Sequence, residues 1–164
     1  MGDIEMRTNK KNSGFTLVEI LIVVVILGIL AAIVIPQFTQ ASTEAMENSL
    51  KANLQTMRSQ IELYKIQHND DFPGTVAAVT FEQAMEGYTL IDGTSCLQGA
   101  ANALGPYLQS IPVNPFNLLD TVDTAGGAIG DNSHGWSYNT TTNVLRADDN
   151  TDADGDGTLD HILW

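Results

Sequence analysis

Gly14-Phe15-Thr16-Leu17-Val18-Glu19 opens an apolar run that reaches Ile35, and Glu19 is the only charged residue inside it. As a helix, the twenty-one residues from Phe15 to Ile35 span about 30 Å, the thickness of a bilayer's hydrocarbon core. A carboxylate near one end of such a helix costs about 2–3 kcal/mol or more unless it stays at the interface or meets a partner, so Glu19 asks for a reason. A secretory signal has a shorter apolar core followed by a small-residue cleavage site; Ala31-Ala32 imitate that site, but apolar residues continue past them. A plain single-span anchor is the other alternative. The order of glycine, aromatic residue and carboxylate ahead of the greasy segment argues against both. Arg7, Lys10 and Lys11 precede the span and a strongly acidic stretch follows it, which orients the amino terminus to the cytoplasm and the bulk of the chain outside.

Of the 164 residues, 128 follow Pro36, enough for one modest extracytoplasmic domain. The net charge is −13. Residues 1–14 carry three cations against two acids, so a chain trimmed after Gly14 stands at −14. Between Ile66 and Leu145 there is no Lys or Arg, and phosphate binding needs a basic patch, so the chain reads as a poor nucleic-acid binder and no nucleic-acid partner is expected. Such acidity suits solubility, cation binding or a basic partner. Cys96 is the only cysteine, which rules out an intramolecular disulfide and leaves the loops of an exported domain to be fastened by other means.

Beyond Pro36, which lacks an amide donor and should kink or loosen a helix, apolar residues recur at Leu50, Leu54, Met57, Ile61 and Tyr64. These steps of four and three mark one helical stripe. Glu44, Glu47, Asn48, Lys51, Asn53, Arg58 and Gln60 fall on the other face, as expected for solvent. Glu47 and Lys51 form an i,i+4 pair in the stabilising order. The reading is one long helix from Phe15 to His68, half in lipid and half packed on a head, stopping near Asn69-Asp70-Asp71 ahead of Phe72-Pro73-Gly74. A short helix is expected over Thr80–Tyr88, ended by Gly87. A long loop follows over Gly93–Asn117, and a hairpin joins Gly135–Asn139 to Val144–Arg146 through Thr140–Asn143. The four segments are thus 1–14, 15–36, 37–68 and 69–164, and the fold class is α+β, with a small antiparallel sheet on one long amino-terminal helix.

The acidic segment Asp152-Ala153-Asp154-Gly155-Asp156-Gly157-Thr158-Leu159-Asp160 sets oxygen ligands at alternate positions, then a glycine for a sharp turn, then a backbone carbonyl and another acid. That is the requirement of a hard cation such as calcium, and it matches the first nine positions of an EF-hand loop. Leu163 stands at the twelfth, where the loop uses a bidentate glutamate, so further ligands must come from Asp148, Asp149, Asn150 or water. Asp152, Asp154, Asp156, Thr158 and Asp160 are the candidate ligands, against the plainer reading of a solvated acidic tail. Enzymatic motifs are missing: there is no Gly-x-Ser-x-Gly, phosphate-binding loop or His-Glu-x-x-His. His68, His134 and His161 are too scattered to suggest a ligand set, and His68 at the helix end reads as a carbonyl cap. Cys96 reads as a buried small residue rather than a nucleophile. Asn139-Thr140-Thr141 reads as a hairpin turn.

The basic leader, Gly14, Phe15, Glu19 and the apolar run together resemble the processing site of type IV prepilins and type II secretion pseudopilins. Gly105-Pro106-Tyr107-Leu108 and Ile111-Pro112-Val113-Asn114-Pro115-Phe116-Asn117 resemble the loop of the major type II secretion pseudopilin, with Asn114 for an aspartate, Phe116 for a tryptophan and Asn117 for a glycine. The hairpin with Trp136 and Tyr138 and the acidic end closing on Trp164 resemble it too. The resemblance implies cleavage after Gly14 by a prepilin peptidase, methylation of the new amino terminus at Phe15, and a Glu19 that serves assembly. It also implies calcium in the carboxyl-terminal loop. The expected product is a single-pass inner-membrane protein with a periplasmic head. It would polymerise through its amino-terminal helix, beside other pseudopilins and inner-membrane assembly proteins, into a filament that pushes folded proteins outward. A type IV pilus subunit for adhesion, motility or DNA uptake is the alternative in the same class. A membrane-tethered, calcium-dependent binding module is the alternative in another.

Overall fold

The computed structural model describes residues 14–151 and His161. The chain divides into two compact units, Met1–Ser42 and Thr43–Trp164. Helix α1 runs over Leu17–Gln67 and continues through Pro36. Within the first unit every Leu, Ile and Val of α1 is more than half exposed. Such a surface is far larger than the apolar patches of water-soluble monomers, and the helix is long and apolar enough to cross a membrane.

In the second unit the expected stripe is the floor of the core, for Leu50, Leu54, Met57, Ile61 and Tyr64 are all buried. The helix ends where the sequence places its stop. Asn69 and Asp70 take left-handed φ values of 55° and 68°, and the Asp70 amide donates back to the Lys65 carbonyl at 3.0 Å, which satisfies a carbonyl left over at the terminus. Helix α2 is short, Phe81–Glu86, and carries a complete capping box. Gln83 N–H donates to Thr80 Oγ1 at 3.2 Å and Thr80 N–H to Gln83 Oε1 at 3.1 Å.

Five strands follow: β1 (Tyr88–Thr89), β2 (Ser95–Cys96), β3 (Val122–Asp123), β4 (Trp136–Asn139) and β5 (Val144–Ala147). The hairpin β4–β5 is the expected antiparallel one, with Trp136 opposite Ala147 and Tyr138 opposite Leu145. Its turn is closed by Asn139 Oδ1, which accepts from the Thr141 and Thr142 amides, each at 2.9 Å. Period-two alternation turns Trp136, Tyr138, Leu145 and Ala147 toward the core. Phe81 meets Tyr138 with ring centroids 4.7 Å apart.

Four features depart from the sequence reading. The stretch expected as a long loop contains β2, which pairs antiparallel with β1, and Leu104 bridges Thr89. Strand β3 adds to the hairpin in parallel, with Val122 beside Trp136. Two-residue strands carry no periodicity, so neither could be read in advance. Arg58 and Asn53, assigned to solvent, both reach the head. Arg58 donates from Nη2 to the Leu145 carbonyl at 2.7 Å and Asn53 from Nδ2 to Val113 at 3.3 Å. Long side chains bordering an apolar stripe can lie along it and deliver a polar tip to a backbone acceptor. Cys96 is half-buried rather than enclosed.

Trp136 has no exposed surface, and its indole N–H donates to the Pro112 carbonyl at 2.7 Å. Trp136→Ala should cost about 3–5 kcal/mol, as cavity creation does for large aromatics, and thermal unfolding of fragment 39–164 measures it. A loss under 1 kcal/mol contradicts this account of the core.

Candidate functional site

At the start of α1, Thr16 and Glu19 form a second capping box, legible in the sequence as Thr-x-x-Glu. Glu19 Oε2 accepts from the Thr16 amide at 2.8 Å and the Thr16 hydroxyl at 2.9 Å, and Glu19 N–H donates to Thr16 Oγ1 at 3.2 Å. A capping box satisfies two orphan amides, and a carboxylate there also complements the positive end of the helix dipole. Glu19 therefore begins the helix locally. One carboxylate oxygen, Oε1, has no partner among the described residues. Gly14 and Phe15 lie just outside the helix, with Phe15 83% exposed, and a Cβ built on Gly14 would meet nothing within 4 Å.

The second region is the carboxyl-terminal end of the head. Of the five candidate ligands, Asp152, Asp154, Asp156, Thr158 and Asp160 all lie outside the described residues, and among the described residues no three His, Cys, Asp or Glu side chains gather into a metal-holding group. What the structure does place is the frame on either side of them. Asp149 is buried, and its carboxylate accepts from three directions: His161 Nδ1 at 2.7 Å, Asn114 Nδ2 at 3.1 Å and the Thr151 amide at 3.3 Å. Burial is the largest influence and pushes its pKa up. The bonds from Asn114, His161 and Thr151 together outweigh it, so the carboxyl stays below its ordinary value. Asp148, also buried, accepts from the amides of Gly130 at 2.6 Å and His134 at 3.3 Å. Of the residues suggested as supplementary cation ligands, Asp148 and Asp149 are thus occupied in tying loops together, and Asn150 is exposed.

Asn114 is the centre of this frame. Its side-chain amide donates to the Gly135 carbonyl at 2.9 Å as well as to Asp149, while Oδ1 accepts from Phe116 N–H at 2.9 Å. Asn117 ties the same strands, donating to the His134 carbonyl at 2.7 Å and the Asp148 carbonyl at 3.1 Å. Gly135 must be glycine, because a Cβ there would run into the Leu119 carbonyl oxygen. The preceding loop is held by backbone bonds from Tyr107 and Leu108 to the Met85 carbonyl, both 2.9 Å, and by Glu86 Oε1 accepting from Ile111 N–H at 2.6 Å. Sequence reasoning missed Asn114 as a hub. The signal was present in its position between two prolines, next to a hairpin that needed a polar anchor.

His68 is used as expected. Its Nδ1 donates to the Tyr64 carbonyl at 2.8 Å, which fixes the tautomer and lets Nε2 accept from the Thr89 hydroxyl at 2.9 Å. The ring stacks on Tyr64 at 3.7 Å. Tyr107 packs edge-on against Tyr64, and burial first, with the nearness of Tyr64, pushes its phenol up to about 12. This is a satisfied core cluster with no acid or base free to act.

Residues 9–35 match the family model described as the prokaryotic N-terminal methylation motif. The type II secretion system core protein G of Pseudomonas aeruginosa is 34% identical over 107 residues, 65% of this chain and 70% of that protein. The protein of the same name from Escherichia coli K12 is 28% identical over 111 residues, 68% of this chain and 71% of that one. The type IV major pilin protein PilA of Myxococcus xanthus is 47% identical, but over 51 residues, 31% of this chain and 23% of the pilin. No solved structure matches the chain.

Asn114→Asp tests the frame. The exchange would place two carboxylates at the 3.1 Å contact with Asp149, and like charges so close cannot both ionise without a large penalty. The pair then holds a proton that the unfolded chain releases, so the raised folded-state pKa makes the deficit largest at neutral pH and smaller as pH falls toward 4. We expect a loss of about 2–4 kcal/mol at pH 7. Thermal melts of parent and variant fragments at pH 7 and pH 4.5 check it, and an equal deficit at both pH values contradicts it.

Proposed function

Because the chain belongs to the family of the type II secretion system core protein G, we propose that its amino-terminal helix, trimmed of residues 1–14, builds a filament that helps export folded proteins. The chain is a structural pseudopilin subunit, and its named relatives are structural subunits, not enzymes. The observation that carries the reading is similarity along two thirds of the chain, helix and head together, whereas similarity to the pilin is confined to about 51 residues. The apolar first half of α1 and the methylation motif fit a single-pass inner-membrane protein. The cations Arg7, Lys10 and Lys11 favour an amino terminus in the cytoplasm and a periplasmic head.

For processing, an open Gly14 with no side chain and an exposed Phe15 suit a peptidase that must approach the backbone closely. For assembly, Glu19 caps its own helix through Oε2 and keeps Oε1 for a second donor. The amino group of Phe15 in a neighbouring subunit is suited to that place, since an ion pair in a low-dielectric bundle offsets the burial of both charges. Gly14→Val should leave the leader attached, read by mass spectrometry of the membrane protein. Glu19→Ala should insert and be cleaved, yet form no filaments as the only copy. A mature protein beginning at Met1 or Gly2 in a host with active peptidase, or normal filaments of the Glu19 variant, would refute these roles.

Calcium completes the proposal. Thr151 and His161, the described residues on either side of the Asp152–Asp160 segment, both bond to the Asp149 carboxylate. A nine-residue acidic segment whose two flanks are held on one point suits a compact cation loop, and calcium there would neutralise part of its charge. With Asp148 and Asp149 occupied, the ligands would be drawn from Asn150, Asp152, Asp154, Asp156, Thr158, Asp160 and water. Calcium at about a hundred times Kd should stabilise fragment 39–164 by roughly 2.7 kcal/mol, and Asp154→Ala with Asp156→Ala should abolish that gain. Calorimetry that detects no binding at millimolar calcium, or a double variant that responds as the parent does, removes the site.

A further inference from the structure

After Gly14 the sequence contains four Lys and Arg against eighteen Asp and Glu, and two of the four, Arg58 and Arg146, are near enough to feel each other's charge. Lys51, Arg58 and Lys65 are spaced by seven residues on α1, which places them within about 20° of one line along the helix. Arg146 of β5 joins them, since the Arg58 guanidinium is held on the carbonyl of Leu145 at 2.7 Å, one residue away. Two clefts flank Val144 at this place. One, of about 350 Å³, lies between the outer face of the hairpin and the Gly126–Ile129 stretch and contains Arg146, Ser137 and Asn139. The other, of about 230 Å³, contains Arg58, Glu62 and Asn143.

The first cleft is unusual in what it leaves open. Across the outer face of the sheet, Asp123, Ser137 and Arg146 are in register, so an intramolecular ion pair was available. Asp123 instead accepts from the amides of Ala125 at 2.8 Å and Gly127 at 2.7 Å. Among the described residues no carboxylate lies within ion-pair distance of Arg146. Arg58 is held below its ordinary pKa, by burial first and then by the charge of Arg146, as expected for two cations that feel each other. A guanidinium with hydroxyl and amide neighbours in a concave site is suited to a carboxylate.

We propose that these paired clefts are the docking site for the acidic surface of the head of a second copy of this chain. The inference rests on the filament reading above. The charge distribution selects the occupant. Glu82, Glu86, Asp92, Asp120 and Asp131 belong to the stretch from Ile66 to Leu145, which has no Lys or Arg in its sequence, so two copies meeting acid to acid repel. The Arg58 and Arg146 clefts of one against an acidic surface of the next attract. Such a contact joins two different surfaces, and a head-to-tail contact that does not close propagates as a helix.

The test uses the full-length chain in cells that assemble it, with Cys96→Ser and a cysteine pair in the 21–30 stretch reporting filaments as crosslinked ladders. Arg146→Glu should reduce ladders beyond the dimer at least fivefold while leader cleavage and the melting temperature of the head stay unchanged. Arg146→Gln should give an intermediate loss and Arg146→Lys should retain more than half. Because the contact is two-sided, Arg146→Glu copies expressed with the parent should shorten the parent's filaments, as they keep the acidic surface and lose the cationic one. Ladders of parental length from Arg146→Glu overturn the docking site alone. Equal defects in the Gln and Lys variants overturn it as well, since shape rather than charge would then matter. If the head binds vesicles of phosphatidylglycerol through Arg146 and ladders are unaffected, the cleft serves a lipid and not a second copy. A parent that forms no ladder removes both this inference and the filament reading.

Discussion

The stripe of Leu50, Leu54, Met57, Ile61 and Tyr64 has to be covered, and it belongs to the same α1 whose residues 17–35 leave every apolar side chain exposed. Burial of large aliphatic and aromatic side chains contributes roughly 1.5–3 kcal/mol each. The five residues of the stripe are therefore a large part of the core of a head whose strands are only two to four residues long. Each other piece is placed by what it lays on that stripe: Phe81, Ala84 and Met85 of α2, Tyr107 and Leu108 of the loop, and Trp136, Tyr138 and Leu145 of the hairpin. Polar tips at the border of the stripe, Asn53 and Arg58, then fix the loop and β5 in register by donating to their carbonyls.

The stripe and the hairpin were legible because each carries a period, 3.6 or 2, over enough residues to stand out. Helix ends were legible from chemistry: Asn69 and Asp70 tolerate the left-handed backbone that stops α1, and Thr80 with Gln83 opens α2. The same grammar is present in Thr16 and Glu19, whose Thr-x-x-Glu spacing gives the carboxylate a local role at the helix start. Strands β1, β2 and β3 were illegible for a physical reason. Two residues cannot alternate visibly, and β3 is set by a parallel pairing whose partner is fourteen residues away at Trp136. The burial of Asp148 and Asp149 was hidden as well, because their charge suggested only supplementary cation ligands, and only the approach of Asn114, Gly130 and His161 explains why they are inside.

Asp149 shows how a head with one cysteine secures its last segment. A disulfide stabilises by constraining the unfolded chain. A buried carboxylate with three donors acts on the folded state instead, by supplying each donor with a charged acceptor in a low-dielectric place where such bonds are strong. The His161 and Thr151 bonds bring the flanks of the 152–160 segment to one point, and the Asn114 bond fastens that point to the loop and to β4 through Gly135. In the proposed calcium state the same carboxylate links cation binding to the hairpin that shapes the Arg146 cleft, because Asn114 bonds both Asp149 and the carbonyl of Gly135, which directly precedes β4. A cation that tightens the frame then also firms the surface offered to a neighbouring copy. The coupling follows from shared residues rather than from distance, and its size is bounded by the difference in calcium affinity between the firm and the loosened frame.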